Sequence, residues 1–124
     1  MCQNSTLRGT YGFHRSGTIT PTGGPVSYLA AAGFMVFDGV GGIKAYQNAS
    51  ASGVYTANNL TTGFYHVYPN CVFTLSMAPY QAASDVDIDL TKVKTVGVIV
   101  DEGKELFALA TDPGRTILFI AKKM

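Results

Sequence analysis

The sequence predicts an all-β chain, an antiparallel barrel or sandwich assembled from hairpins, on three observations. Strand-like runs recur every 10–15 residues and are separated by turns rich in Gly, Pro and Asn. No window longer than ten residues keeps apolar positions at helical spacing between caps. Charged residues fill only 14% of the 124 positions, while Gly, Ser, Thr, Ala and Tyr are plentiful, which suits a compact β protein with uncharged polar edges. Closure into a barrel is favoured, because it removes the exposed edges that so little charge leaves unprotected.

Taken in order, residues 1–6, "MCQNST", form a polar N-terminal tail on a single domain spanning 1–124. The start reads as a mature domain whose export signal has been replaced by Met1. The first strand is expected over 7–14, and "SGTITPTGGP" at 16–25 is a longer loop overhanging one end. Strands over 28–37 and 42–48 are joined by "DGVGG", whose glycines supply positive φ. Strands over 53–57 and 62–68 are expected to turn at "ANN", residues 57–59. In the second of these, alternation sends Tyr65 and Val67 inward and His66 and Tyr68 outward, and Pro69 ends the run.

Further strands are expected at 71–77, 86–90, 95–101, 104–111 and 115–122. "DEGK" links the pair around 101–104, and Pro113-Gly114 suits a type II turn before the last strand. The runs "GFMVF", "GVIV" and "ILFIA" are apolar on both faces. One barrel interior uses only one face of each, so a homo-oligomer is expected to cover the other.

Several partners and cofactors are not expected. The net charge is +1 and no basic run exceeds "KK" at 122–123, so the electrostatic footprint of a nucleic-acid binder is missing. No apolar stretch reaches the roughly 20 residues of a transmembrane helix. The two histidines and two cysteines lack the close pair spacing of a zinc site. "DVDIDL" sets its aspartates about 7 Å apart on one strand face, too wide for a calcium ion without loop ligands. "GVGG" is followed by neither Lys-Ser/Thr nor a helix, so it is no phosphate loop. No metal and no cofactor are expected.

"GTYGF" at 9–13, "FDGVG" at 37–41, "GFYHVYPNC" at 63–71, "VIVDEGKELFAL" at 98–109 and a closing "TDPG…AKK" together resemble the bacterial allene oxide cyclase barrel-like group. Their order and spacing carry the resemblance, which covers the chain from about residue 7 to residue 123. It implies a small exported domain, an eight-stranded antiparallel barrel with an apolar interior, and often a trimer. It also implies relatives that isomerise or cyclise hydrophobic small molecules, one of which demethylates a phenazine. Asn70 stands where an aspartate is common in the group, and His66 and Tyr68 replace smaller polar residues. No catalytic residue of the plant cyclases has a match here.

Two cysteines in an exported domain suggest a Cys2–Cys71 disulfide tying the tail to the barrel. An inert buried thiol, or a nucleophile activated by His66, are the other readings of Cys71. His66 is a surface or interface histidine if Tyr65 faces inward, and a cavity acid/base otherwise. Glu105 is the leading general acid/base if it shares an interior face with Phe107 and Leu109, and is merely solvated if Leu106 and Ala108 point inward. His14 and Arg15 are expected at one barrel mouth, where the guanidinium can hold a ligand carboxylate through two parallel hydrogen bonds. Phe37, Tyr65 and Phe107 are the candidate apolar walls.

Three functions fit this reading. One is a cofactor-independent barrel enzyme of the isomerase or cyclase type, acting on an apolar small molecule. Another is a barrel that binds such a molecule without chemistry. The third is a cell-envelope module whose interior is filled by side chains. What the interior holds decides among them.

Overall fold

A computed structural model describes residues 1–20, 24–77, 95–111 and 114–124, with the side chains of 56–59 excepted. Eight strands follow one another: β1 (Arg8–Ile19), β2 (Ser27–Asp38), β3 (Gly42–Ala51), β4 (Val54–Val67), β5 (Val72–Met77), β6 (Thr95–Val100), β7 (Glu105–Ala110) and β8 (Arg115–Lys123). Each pairs antiparallel with its neighbour in sequence. β8 closes on β1 through a ladder from Tyr11–Lys123 to Ile19–Arg115. The result is a closed eight-stranded antiparallel barrel, with no edge strand among the described residues.

Strict alternation divides the residues between the two faces. Tyr11, Phe13, Met35, Phe37, Ile43, Ala45, Tyr65, Val67, Phe73, Leu75, Ile99, Leu106, Ala108, Phe119 and Ala121 form one buried cluster inside. Their rings interlock edge-on, with Phe37 5.1 Å from Tyr11 and 5.0 Å from Tyr65 between ring centres, the geometry aromatic quadrupoles favour. Small residues let the walls approach. A Cβ on Gly97 would collide with the Phe107 carbonyl oxygen and meet the Phe73 ring at 2.7 Å. The barrel can therefore tighten at β6 only where a side chain is missing.

The β2–β3 turn is built as its sequence suggests. Asp38 Oδ1 accepts the N–H groups of Val40, Gly41 and Gly42 at 2.8, 3.0 and 2.9 Å. These bonds, that from Val40 foremost, hold its carboxyl below the usual carboxylate range. The turn expected at 57–59 is absent, because β4 runs unbroken from Val54 to Val67. The reversal lies instead at Ser52-Gly53, both at positive φ (48° and 87°). A register shift between Gln47 and Ala49 takes up the irregularity opposite. β1 also continues beyond residue 14 into the expected loop and ends at Ile19. The strand expected at 86–90 and the turn at Pro113 lie outside the described residues.

The two ends of the barrel differ. At one end the N-terminal tail forms a short 3₁₀ turn, Asn4–Thr6, and drives Leu7 into the interior, where it is fully buried. Cys2 and Cys71 join in a disulfide with Cα atoms 5.0 Å apart. Asn4 Oδ1 accepts the Val67 N–H at 2.8 Å, and its Nδ2 donates to Val40 O at 3.4 Å. This end is plugged. The opposite end carries the last residues of β1, β3, β5 and β7 and the first of β2, β4, β6 and β8.

Candidate functional site

Toward that opposite end the inward residues change in kind. Leu29, Gln47, Ala49, Thr61, Met77 and Thr95 continue the interior faces of their strands but are only half-buried. Solvent therefore reaches further into this half than into the plugged one. Ala31, Ala49 and Ala51, on the interior faces of β2 and β3, leave the wall locally thin here.

Arg15 enters this half from β1. Tyr11 and Phe13 face inward, so alternation turns Arg15 inward too, opposite Ala31 on β2 and Phe119 on β8. Its Nε is buried and Arg15 engages in further polar interaction. The rings of Phe13 and Phe119 stack beside it with centres 5.4 Å apart. Arg15 is thus a cation at an interior strand position next to these two rings, where charge-assisted bonds strengthen as water is excluded.

The other polar candidates lie elsewhere. His14 alternates outward and is exposed between Ala32 and Ile120, midway along the barrel wall rather than at its mouth. Glu105 also faces out, because Leu106 and Ala108 occupy the interior face of β7. It sits opposite Lys122 across the β7–β8 ladder, with Nζ–Oε1 at 3.8 Å, a pair that adds little in contact with water. Phe107 shares the outer face, 37% exposed, and lines no interior. His66 is on the outer wall as well, edge-on to Tyr68 with ring centres 4.4 Å apart. His66, Glu105, His14 and Phe107 therefore cannot act on a molecule held inside. The cause is one of parity: each lies one residue away from an inward-facing neighbour.

Phe37 and Tyr65 do face inward, but in the plugged half, 1% and 2% exposed. The Tyr65 hydroxyl lies 3.0 Å from Asn4 O and 2.9 Å from Leu7 O, the carbonyls it donates to. Burial pushes its pKa up to about 12. Tyr11 donates to Gly103 O, and burial raises its pKa too. Both phenols are thus locked neutral on backbone carbonyls, as buried hydroxyls must be satisfied. They hold the plug. Among the described residues, no three of His, Cys, Asp and Glu gather as a metal site would require.

No protein-family model matches the chain, and no curated protein or solved structure matches it either.

Arg15 is the residue that sequence reasoning placed least well. It was expected at a strand end beside a loop, with His14 as its partner. Carrying the Tyr11, Phe13 alternation two residues further separates the two and sends the arginine inside.

Proposed function

We propose that the barrel binds a small apolar molecule carrying one anionic group, taken in at the end opposite the disulfide, and that Arg15 holds that group. The observation that carries this reading is Arg15 itself, a cation on the interior face of a partly solvent-accessible half-barrel whose other described inward residues are uncharged. Ligand sites are largely apolar with a few placed polar groups. The isomerase or cyclase reading is the weaker one, since its candidate acid and base, Glu105 and His66, point away from the interior. The filled cell-envelope module draws its support from the plugged half, where Leu7, Tyr11 and Phe37 leave no exposed interior face.

Decanoate and decanol, followed by amide NMR shifts, test this reading. Decanoate should bind about 10- to 100-fold more tightly, the worth of a hydrogen bond to a charged group, with shifts at Ala31 and Ile117. Arg15→Met should erase the preference, whereas Glu105→Gln and His66→Ala should leave it intact. Equal binding of both probes by the wild type would reject the anion hook.

The same reading extends to assembly and location. Val98, Phe107, Leu109 and Leu118 lie on adjoining outward positions of β6, β7 and β8, 44%, 37%, 58% and 47% exposed. Such a contiguous patch favours a homo-oligomer, with a trimer as the resemblance to allene oxide cyclase barrel-like proteins implies. The disulfide supports export to an oxidising compartment. Sedimentation at micromolar concentration should show a multiple of the chain mass, and Leu109→Lys should reduce it to the monomer. A wild-type monomer would mean the patch has no self-partner.

A further inference from the structure

The outer wall contains a feature that the interior site does not use. Beside the β4–β5 turn, Tyr68, Pro69, Asn70, Val72, Thr74 and Val96 line a groove of about 560 Å³, within the range of small-molecule sites. It lies outside the barrel, because Phe73 and Leu75 take the interior face of β5. Thr74 is the anomaly. Its alternation sends it outward between His66 and Val96, yet it is only 1% exposed. Its Oγ1 is buried with no hydrogen-bond partner among the described residues.

An outward strand threonine ordinarily gives its hydroxyl to water. Burying one unpaired is costly, and such groups in native folds call for an explanation. Thr74 shares the groove's lining with Val72, Val96 and Pro69, none of which offers its hydroxyl a side-chain partner. The aromatic wall is held in place: His66 meets Tyr68 edge-on at 4.4 Å, and Tyr68 N–H donates to Val72 O at 2.8 Å. Asn70 Oδ1 accepts the Val72 N–H at 3.1 Å, which fixes the turn at the groove's edge.

We propose that this groove is a second binding site, for a planar aromatic molecule bearing one oxygen that pairs with Thr74 Oγ1 while its ring packs on Tyr68, Val72 and Val96. The site is independent of Arg15, which enters the barrel interior from β1.

Amide NMR titration with 2-naphthol and with naphthalene tests the proposal. Saturable shifts at Val72, Thr74 and Val96 are expected for both, with 2-naphthol bound about two- to tenfold more tightly, the range of one net hydrogen bond. Thr74→Val keeps the shape and removes the hydroxyl, so it should abolish that preference while leaving naphthalene binding unchanged. The variant should fold at least as stably as the wild type, because an unsatisfied group has gone. Arg15→Met should change neither titration. Three results would overturn the site: no saturable shift at these amides, a preference for 2-naphthol that survives Thr74→Val, or shifts that track protein dilution instead of probe. The last would mark a second copy of the chain as the occupant.

Discussion

Removing the Cys2–Cys71 disulfide, by reduction or by Cys2→Ser with Cys71→Ser, is expected to lower stability by about 4 kcal/mol. The bridge spans 69 positions, so in the unfolded chain it closes more than half of the sequence into one loop, and the chain-entropy cost of such a loop is large. On the native side the bridge pins a strained turn. Cys71 sits in the left-handed region at φ 68°, costly for a residue with a Cβ. Its carbonyl accepts the Ile99 N–H at 2.9 Å, so the turn it occupies also anchors β6. Cys2 N–H donates to Pro69 O at 3.3 Å, a long bond that does little to hold the tail without the covalent link. Urea unfolding of oxidised and reduced protein, read by tyrosine fluorescence, measures the difference. A change under about 1 kcal/mol would mean that the Asn4 bonds and Leu7 burial hold the plug unaided, against the loop-closure argument.

The architecture was legible because hairpin grammar is local. Asp38 followed by Gly39 and Gly41 specifies its turn within five residues, and Tyr65 and Val67 face inward as the alternation of their strand requires. Asn58-Asn59 misled for the same reason. The pair carries turn chemistry, yet the chain reverses at Ser52-Gly53 and β4 passes straight through. A barrel strand of 14 residues is longer than local propensity anticipates, and its pairing with β3, a tertiary matter, overrides the local signal.

The site was less legible, for a physical reason. β6, β7 and β8 are apolar on both faces, so hydrophobicity alone does not say which way Glu105 points. Volume decides instead. The wall facing Phe73 has room for Gly97 and Ala108, where the Gly97 position leaves 2.7 Å to the Phe73 ring. Phe107 on that face would overfill it, so Phe107 and Glu105 turn outward together. Thr74 is the converse. Its outward direction follows from alternation, but nothing in the residue order announces that its hydroxyl is buried.

Stability is expected to fall steeply between pH 10 and pH 12, with Tyr65 as a principal cause. Burial raises its pKa to about 12, while an unfolded tyrosine ionises near 10. The sign follows directly. Below pH 10 the phenol is neutral in both states and its contribution is complete. Between the two values the unfolded chain releases the proton and the folded chain retains it, so each pH unit favours unfolding by up to about 1.4 kcal/mol. The Tyr65 share amounts to about 2–3 kcal/mol by pH 12, and Tyr11, raised in the same direction by burial, adds to it. A phenolate at Tyr65 also loses its donation to Asn4 O and Leu7 O, so the plug should loosen first. Tyr65→Phe separates these effects. It keeps the edge-on contact with Phe37 and removes only the hydroxyl. At pH 7 the variant should be about 1 kcal/mol less stable, one net hydrogen bond. Between pH 10 and 12 it should lose stability more slowly than the wild type and overtake it near the upper end. Urea midpoints across that range supply the measurement, and parallel pH profiles for the two proteins would show that Tyr65 does not carry the alkaline transition.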